Sequence, residues 1–561
     1  MLVKPPFYPR RLDFNFPVVP PRRQTIRPPG KAVFGKKKSF SSNDLASLRT
    51  NGFLTDGPNY NFAEEGLVID ESEEDRPKRV LFVCHGSRGD VQPLISLAVG
   101  MRAKGYNVAF FAVHPVNQLV DRHGFKCYDY DLDIEVMMRR VQSVTHSLPA
   151  LSPSIGFFYA TVQTLRDDEF KEKVDAIPDK VLEAHLDFRP DLTITSHCMP
   201  AISCAEKLHI PVIYIALQPM YPTSNFPPFA FSPKRFGRRF SWLHKPLGHM
   251  FMSVYEKSTY MSGVTRCREL AGLNPSQFQD GTPVYNLRFV PTCTVISQAL
   301  VPQPDDWPRW QKITGFLLSQ KGGEEAEWVP PPPLVEFLED GTAPVYIGFG
   351  SMCSDEDFAV KLTRLCIQSL QNNNFRGIML GGWAGMTRKR LDEDLDSELI
   401  EYAKENVFEM ASCPHSWLFP RCSSVVHHGG AGTLAAGLSA GRPMVICPFI
   451  FDQQYFGGLV GDKGCGVVTS PAKDLTLQEL TEAILKVTSD AQMSVAAGAV
   501  GQEMMLEDGV SKTIDFIEEV TASFPYPWKI KCHDYTRAEP KWTDKAFAHV
   551  FSGSRFLDSD N

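Results

Sequence analysis

The stretch that decides the fold is HHGGAGT, residues 427–433. An apolar run with two valines precedes it at 423–426, and a small, alanine-rich stretch follows at 434–440. This order predicts a strand, a glycine turn and a helix. Glycines let the backbone approach a ligand closely, and the free N–H groups of a helix that begins near Thr433 favour an anion. The stretch therefore predicts either a phosphate site or, as in many doubly wound folds, a turn that only packs a helix on a sheet.

A second predicted strand follows directly, at residues 443–448, and two polar side chains come after it, Asp452 and Gln453. Open α/β sheets bind ligands at the carboxyl ends of their strands. The pair is therefore a candidate for ligand binding.

A similar arrangement occurs far upstream. Residues 79–84 are an apolar run of strand length, as expected for a parallel strand buried on both faces. The turn 86–90, a helix over about 91–104 and a strand over 107–113 follow. These elements predict a β-loop-α-β unit whose loop again lies at a carboxyl end.

Two long motifs resemble one protein family. HHGGAGT, followed by AGRPMVICPFIFDQ at 440–453, resembles the donor-binding segment of UDP-dependent glycosyltransferases of the GT-B architecture. GSRGDVQP, residues 86–93, resembles the sterol glucosyltransferase branch and its relatives that glycosylate antibiotic aglycones. The motifs stand in the expected order, and the resemblance covers approximately 78–520. It implies an α/β fold with two facing Rossmann-like domains, parallel sheets and a cleft between them.

The length of 561 residues predicts two domains plus tails. We expect a disordered tail at 1–77, basic and then acidic, an acceptor domain at 78–310, a proline-rich linker at 311–342, a UDP-sugar domain at 343–522, and a second tail at 523–561. Residues 1–50 hold eleven cations against Asp13 and Asp44 and so carry a net charge of +9. This basic segment is either a solvated or targeting arm or a contact with anionic membrane.

The composition favours a soluble globular protein, with 43% hydrophobic and 22% charged residues. A net charge of −7 argues against a nucleic-acid partner. The 13 cysteines include no CxxC pair, which fits reduced thiols rather than a metal finger. No stretch approaches the roughly 20 apolar residues of a membrane helix. We therefore expect a cytoplasmic chain that touches membranes only peripherally.

Glycosyl transfer requires a base for the acceptor hydroxyl, and the resemblance places Asp90 at that position. The alternative is that Asp90 only caps the helix that follows. A free carboxylate is a weak base near pH 7, so this role needs desolvation or late proton transfer. His197 or His85 either assists the base or is structural.

The resemblance also implies a donor site. His427 matches a histidine placed against a donor phosphate, and Asp452 with Gln453 matches a pair that binds glucose hydroxyls, which suits groups that both accept and donate. In plant relatives a tryptophan stacks on the uracil of the donor, and Ser412 occupies the corresponding position here. We therefore expect main-chain groups to contact the uracil and Trp417 to lie in the core. The remaining donor-binding candidates are Ser87, Arg88, Ser351, Cys413, His415, Gly429, Gly430, Ala431, Gly432 and Thr433.

Residues 217–260 are rich in aromatic and proline residues with basic residues interleaved. Flat rings suit an apolar ligand, and the resemblance puts the acceptor site in this domain. The candidates are Tyr221, Phe226, Phe229 and Trp242. The alternatives are a long loop that packs its own aromatics and a lip that presses on a bilayer.

We predict an inverting, metal-independent transfer of glucose from UDP-glucose to the hydroxyl of a sterol or similar lipophilic acceptor, without a cofactor or a bound metal. The key donor-domain loops hold no acidic DxD pair, and Asp392 and Asp394 lie in a charged surface stretch. The alternatives are a non-sterol small molecule or glycolipid as acceptor, a non-catalytic UDP-sugar or lipid-binding protein, and an epimerase or phosphorylase of the same architecture.

Overall fold

The structure is a computed structural model that describes residues 76–147, 153–230, 241–259, 261–276, 290–318, 328–352 and 355–522. All of them belong to one compact unit, residues 72–561. The predicted tails at 1–77 and 523–561 lie almost wholly outside the described residues, so their disorder stays a prediction.

The first domain is built on a parallel sheet of seven strands in the order β3-β2-β1-β4-β5-β6-β7. Its strands are β1 Arg79–Cys84, β2 Asn107–His114, β3 Lys126–Asp133, β4 Leu192–Ser196, β5 Val212–Ala216, β6 Thr292–Thr294 and β7 Gln311–Ile313. The described helices around it are α1 Arg88–Ala103, α2 Asn117–Arg122, α3 Ile134–Ser147, α4 Pro153–Thr164, α5 Asp168–Phe188, α6 Pro200–Leu208, α7 Ser241–Thr259 and α8 Met261–Leu270. The apolar run of β1 is buried from Val80 to Cys84, as a central parallel strand requires.

The second domain has a parallel sheet of six strands in the order β10-β9-β8-β11-β12-β13. Its strands are β8 Val345–Gly348, β9 Gly377–Leu380, β10 Val407–Met410, β11 Ser424–His427, β12 Met444–Ile446 and β13 Gly466–Val468. The described helices of this half are α9 Pro332–Glu339, α10 Glu356–Asn373, α11 Ser397–Asn406, α12 His415–Leu418, α13 Ala431–Ser439, α14 Gln453–Asp462, α15 Leu477–Ser489, α16 Ala491–Met505 and α17 Gly509–Ala522.

Both sheets share one strand order, and this order positions the site. In each domain the first strand lies beside the fourth, β1 with β4 and β8 with β11. The crevice at such a switch point is where doubly wound sheets bind ligands. The loop after β1 and the loop after β11 carry the two sequence motifs. The predicted fold class, two Rossmann-like domains with parallel sheets, is confirmed.

The predicted linker differs from the structure in two respects. Residues 311–313 form β7, which pairs with β6, so the first domain extends beyond residue 310. The tetraproline at 330–333 does not remain an extended spacer, because α9 begins at Pro332. Proline is tolerated in the first turn of a helix, where its missing N–H has no intrahelical acceptor.

The last described helix, α17, packs against the first domain. Gly100 of α1 lies so close to Val510 that a Cβ at residue 100 would be 2.6 Å from Val510 Cγ1. Lys104 Nζ lies 3.3 Å from the carboxylate of Asp515. The hydroxyl of Tyr106 donates to Glu518 at 3.1 Å. Packing and polar contacts therefore couple the two domains on this side.

A second contact between the domains is aromatic. The ring centroid of Phe451, in the second domain, lies 5.2 Å from that of Phe157 and 5.1 Å from that of Phe229. Phe451 has a φ of +54°, a region that L-residues seldom occupy. The packing of its ring against the first domain offsets that strain and sets the backbone direction at Asp452.

Candidate active site

A cavity of about 1520 Å³ lies between the two domains. The GSRGD loop borders it from the first domain, and residues 430–433 and 450–453 border it from the second. The two motifs, about 340 residues apart in sequence, therefore meet at one site.

Asp90 projects from the first turn of α1 and borders the cavity. Its Oδ2 accepts hydrogen bonds from the backbone N–H of Ser87 at 2.7 Å and from the Ser87 hydroxyl at 3.1 Å. Its Oδ1 lies 3.8 Å from Nε2 of His197. One carboxylate oxygen thus caps the helix while the other is directed toward the site. Capping and catalysis are compatible at this residue.

Two histidines of the first domain lie behind Asp90, and both border the cavity. Burial, followed by the charge of His197, lowers the pKa of His85 to about 4. His197 adopts a φ of +56°, which brings its ring toward Asp90. The geometry favours His197 over His85 as the residue that contacts the base.

Asp452 borders the cavity from the opposite domain. It occupies the N-cap position of α14, but its side chain makes no capping hydrogen bond. Burial, and then the negative charge of Asp90, raise the pKa of Asp452 to about 7. A carboxyl group with this pKa both accepts and donates hydrogen bonds near neutral pH, which suits a vicinal diol.

The raised pKa makes Asp452 a source of pH-dependent instability. The folded carboxyl keeps its proton up to about pH 7, whereas the unfolded one loses it near pH 4. Folding stability therefore falls as the pH rises between these values. We expect Asp452→Asn to raise the unfolding free energy on the order of 2 kcal/mol at pH 8 and to have little effect at pH 4.

Thermal melts of the wild type and Asp452→Asn at both pH values test this expectation. Asp462→Asn is the control, because Asp462 is exposed at the other end of the same helix. An equal gain at pH 4 and pH 8 would contradict the titration argument.

Helix α13 begins at the cavity, as the sequence predicted. Gly430 is its N-cap, and the first intrahelical hydrogen bond runs from Leu434 N to Gly430 O at 2.9 Å. The N–H groups of residues 431–433 precede that bond and lie at the cavity wall. Together with the helix dipole they make a site for an anion such as a diphosphate.

The two adjacent histidines, His427 and His428, have different surroundings, which bears on the predicted role of His427. His427 is buried and is not among the residues that border the cavity. Its Nδ1 accepts from Gly429 N at 3.1 Å, and its Nε2 lies 3.3 Å from the sulfur of Met444. His428 borders the cavity instead. His427 is the last residue of β11 and His428 the first residue after it, so the two side chains point in different directions.

Glycines on both sides make room for the ring of His428. A Cβ on Gly430 would overlap His428 Nε2, and one on Gly350 would lie 3.0 Å from its Cε1. His428 Nδ1 is buried with no hydrogen-bond partner among the described residues. Burial lowers the pKa of His428 to about 4. The ring is therefore neutral near pH 7 and can act as a hydrogen-bond donor beside the N-terminus of α13.

Gln453 borders the cavity, but its amide is already engaged in the second domain. Its Oε1 accepts from Phe449 N at 2.7 Å and from Ile450 N at 3.0 Å. Its Nε2 donates to the sulfur of Met352 at 3.1 Å. Gln453 thus stabilises the loop that precedes Asp452. Of the two residues, Asp452 is the one whose side chain remains available to a sugar hydroxyl at the site.

The remaining donor candidates are distributed as follows. Ser87, Arg88, Ser351, Cys413 and His415 all border the cavity, whereas Gly429 does not. Arg88 comes from the first domain, and its charge contributes to the lowered pKa of His415, so the two domains meet at this point.

Trp417 lies outside the cavity lining and is partly buried, packed against the hydrophobic core. Its ring meets Trp328 with centroids 5.0 Å apart, and the guanidinium of Arg421 lies 4.1 Å above it.

The four residues predicted to bind the acceptor do not border the main cavity. Tyr221 and Phe226 pack edge-on against Trp307, with centroids 5.9 and 6.4 Å apart. Phe229 packs in the interdomain cluster around Phe451. The small cavity beside these three side chains measures about 10 Å³, the space of one water molecule. Trp242 is 70% exposed. In the described part of this loop, these three rings therefore pack on other aromatic side chains of the protein.

Helices α3, α4 and α5 form the apolar wall instead. The side chains at the cavity include Met137 and Val141 of α3, Phe157 and Val162 of α4, Leu165 directly after α4, and Ile177 of α5. Sequence reasoning assigned no role to residues 115–185. The signal available there was the amphipathic pattern of α3 and the largely apolar α4 in an insertion between β3 and β4.

No described helix combines the length and the apolar character that a bilayer crossing requires. No group of three or more His, Cys, Asp or Glu side chains that could hold a metal ion occurs within the described ranges.

Comparison with known proteins identifies relatives of the sequence. Residues 390–516 match the model of the C-terminal domain of erythromycin biosynthesis protein CIII-like proteins. The sterol 3-beta-glucosyltransferase of Emericella nidulans is 31% identical over 79% of this chain, which covers 30% of that protein. The sterol 3-beta-glucosyltransferase UGT80A2 of Arabidopsis thaliana is 29% identical over 81% of this chain, which covers 68% of that protein. The chain thus spans about a third of the fungal relative.

Solved structures support the fold. The glycosyltransferase of kitacinnamycin superposes with a TM-score of 0.53 at 20% identity, covering 79% of this chain and 99% of its own. The spinosyn forosaminyltransferase SpnP has a TM-score of 0.53 at 17% identity, covering 80% of this chain and 100% of its own. The chain therefore has the GT-B fold of the glycosyltransferases and is similar in sequence to sterol 3-beta-glucosyltransferases.

Proposed function

We propose that the chain is an inverting, metal-independent glycosyltransferase that moves glucose from UDP-glucose to the hydroxyl of a sterol. One observation carries the proposal. Asp90 and Asp452, from opposite domains, interact across a cavity that has an anion site on one side and an apolar wall on the other. The homology to sterol 3-beta-glucosyltransferases supports the choice of acceptor.

In this proposal the second domain binds the donor. The N–H groups at 431–433 and the ring of His428 receive the diphosphate, and the hydroxyl of Thr433 lies at the same helix terminus. Asp452 holds the glucose hydroxyls. The helix dipole and these donors stabilise the negative charge on the departing UDP, which is the task that a metal ion performs in other transferases.

Asp90 acts as the base. The acceptor oxygen attacks the anomeric carbon as the bond from that carbon to the UDP oxygen breaks, and the UDP leaves with the bonding electrons. The hydroxyl proton passes to Asp90 in the same step. A single displacement from the side opposite UDP inverts the anomeric centre. Because Asp90 lies in the first domain and α13 in the second, the two groups lie on opposite sides of the cleft, as this geometry demands.

The acceptor occupies the apolar wall of the first domain. A sterol is a rigid apolar body with one hydroxyl, and its burial against α3, α4 and α5 is favourable because apolar surface leaves water. The hydroxyl then points to Asp90. We further propose that the enzyme works in the cytoplasm. Its basic segment at 1–50 then contacts the anionic membrane in which the sterol acceptor resides.

The decisive experiment incubates the purified full chain with UDP-glucose and EDTA, with and without a sterol. UDP release and the lipid product are followed by mass spectrometry. We expect a sterol hexoside that forms only with both substrates present and in the presence of EDTA. UDP-glucose binding without any hexoside would favour the non-catalytic alternative or another acceptor, and phenols and glycolipids would then be screened.

Two variants separate the acceptor wall from the aromatic loop. Leu165→Trp fills the wall, so we expect the KM for the sterol to rise about tenfold or more, since this equals roughly 1.4 kcal/mol of binding. Trp242→Ala is the control, because that side chain is exposed away from the cavity. A large effect of Trp242→Ala with none of Leu165→Trp would place the acceptor at the loop after all.

A further inference from the structure

The side chain of His415 is fixed on two sides at the cavity wall. Its ring stacks on that of Phe419, with centroids 4.4 Å apart and planes 15° from parallel. Its Nε2 lies 3.1 Å from the hydroxyl oxygen of Tyr346 on β8. Tyr346 is buried, and its ring meets Phe419 edge-on at 4.7 Å. Three side chains therefore determine where the imidazole lies.

The polarity of the Tyr346–His415 hydrogen bond follows from chemistry. Burial raises the pKa of Tyr346, so its hydroxyl keeps its proton. That proton needs an acceptor, and His415 Nε2 is the one hydrogen-bond partner of the hydroxyl within the described ranges. Tyr346 therefore donates, and Nε2 accepts with its lone pair.

The tautomer of His415 follows in turn. Burial, then the nearby charges of Arg88 and His428, lower the pKa of His415 to about 3, so the ring is neutral at working pH. A neutral imidazole carries one proton. With Nε2 as an acceptor, that proton must be on Nδ1. No hydrogen bond joins Nδ1 to another residue in the part of the chain described here, and His415 borders the cavity.

We propose that Tyr346 is a positioning residue: it holds His415 in the Nδ1–H tautomer so that Nδ1 donates a hydrogen bond to an oxygen of the nucleotide of the sugar donor. The inference rests on the proposed function, since it requires a nucleoside diphosphate in the cavity. Tyr346 itself acts through His415. Gly348, two residues farther along β8, supports this position, because a Cβ there would overlap the tyrosine hydroxyl.

The test measures UDP binding to the full chain by calorimetry. Tyr346→Phe keeps the ring that packs on Phe419 and removes only the hydroxyl. We expect the Kd for UDP and the KM for UDP-glucose to rise about five- to tenfold, the effect of one hydrogen bond. We expect kcat at saturating donor to change less than about twofold, because the contact is made equally in the ground and transition states.

Introducing Tyr346→Phe into a His415→Asn variant distinguishes control of the His415 tautomer from an effect of Tyr346 on packing. In His415→Asn the amide nitrogen lies near the position of Nδ1 and donates without help from a tyrosine. Tyr346→Phe should therefore change the UDP Kd by less than about twofold in this background. An equal loss in both backgrounds would mean that Tyr346 acts only through packing, and the inference would fail while the proposed function stands.

Nitrogen-15 NMR of histidine-labelled protein provides a readout independent of turnover. The chemical shifts should assign the proton of His415 to Nδ1 in the wild type and to a mixture of both nitrogens in Tyr346→Phe. A proton on Nε2 in the wild type would overturn the inference directly. If the wild type binds no UDP at all, the proposed function fails together with it.

Discussion

Replacing Asp90 with asparagine is expected to lower kcat for glucosyl transfer by about 10²- to 10⁴-fold, the usual contribution of a general base. Asparagine cannot take the proton of the acceptor hydroxyl. Its amide oxygen can still accept from the backbone N–H of Ser87, which Asp90 Oδ2 does at 2.7 Å in the wild type. The start of α1 should therefore persist, and the KM for UDP-glucose should change less than about threefold.

The measurement is the initial rate against UDP-glucose concentration for the wild type and Asp90→Asn, which separates kcat from the KM for UDP-glucose. Asp355→Asn is the matched control, because Asp355 caps α10 through a bond from Phe358 N at 2.8 Å and does not border the cavity. A loss below about threefold in Asp90→Asn would leave Asp90 as a helix cap and no more.

The second large effect is expected at His428. Replacing it with alanine removes a donor beside the N-terminus of α13, where the proposal places the diphosphate. Removal of one such donor lowers catalysis by about 10²- to 10³-fold, because the charge that it stabilises develops in the transition state. We expect kcat/KM for UDP-glucose to fall by this amount and the Kd for UDP to rise about tenfold.

The adjacent histidine is the control. In His427→Asn the amide oxygen can accept from Gly429 N as His427 Nδ1 does, at 3.1 Å in the wild type. We expect a lower melting temperature with a KM for UDP-glucose within about threefold of the wild type. The reverse result, with low activity in His427→Asn and normal activity in His428→Ala, would favour the prediction from sequence that His427 contacts the donor phosphate. Since burial keeps His428 neutral, its own charge should not change between pH 6 and 9, whereas that of Asp452 should.

Local pattern predicted much of the secondary structure. The strand at 79–84 was predicted at the bounds observed, and the strand at 107–113 ends one residue later than predicted, at His114, because an apolar run between turn residues is a local signal. The helix after GSRGD was predicted to begin near Val91 but begins at Arg88. Its capping contact between Ser87 and Asp90 forms within one turn, and the pattern of apolar residues does not register it.

The acceptor wall was not predictable in the same way. Aromatic composition indicates that rings will be buried, but it does not say whether they pack on a ligand or on one another. Tyr221 and Phe226 pack against Trp307, which lies about 80 residues downstream in the sequence. The side chains that border the cavity, such as Leu165, are aliphatic and unremarkable in sequence. Which helix face borders the cleft depends on packing across domains.

The sequence by itself determined the two β-loop-α units, the order of the motifs and the fold class, because these follow from local apolar runs, glycine turns and the connections that parallel strands require. The tertiary structure alone decided that His428 rather than His427 borders the cavity, since that choice depends on which face of β11 meets the cleft. It also decided that Asp90 and Asp452 interact. Only the closure of two domains brings these carboxyl groups together, and burial with like charge then raises the pKa of Asp452 to about 7.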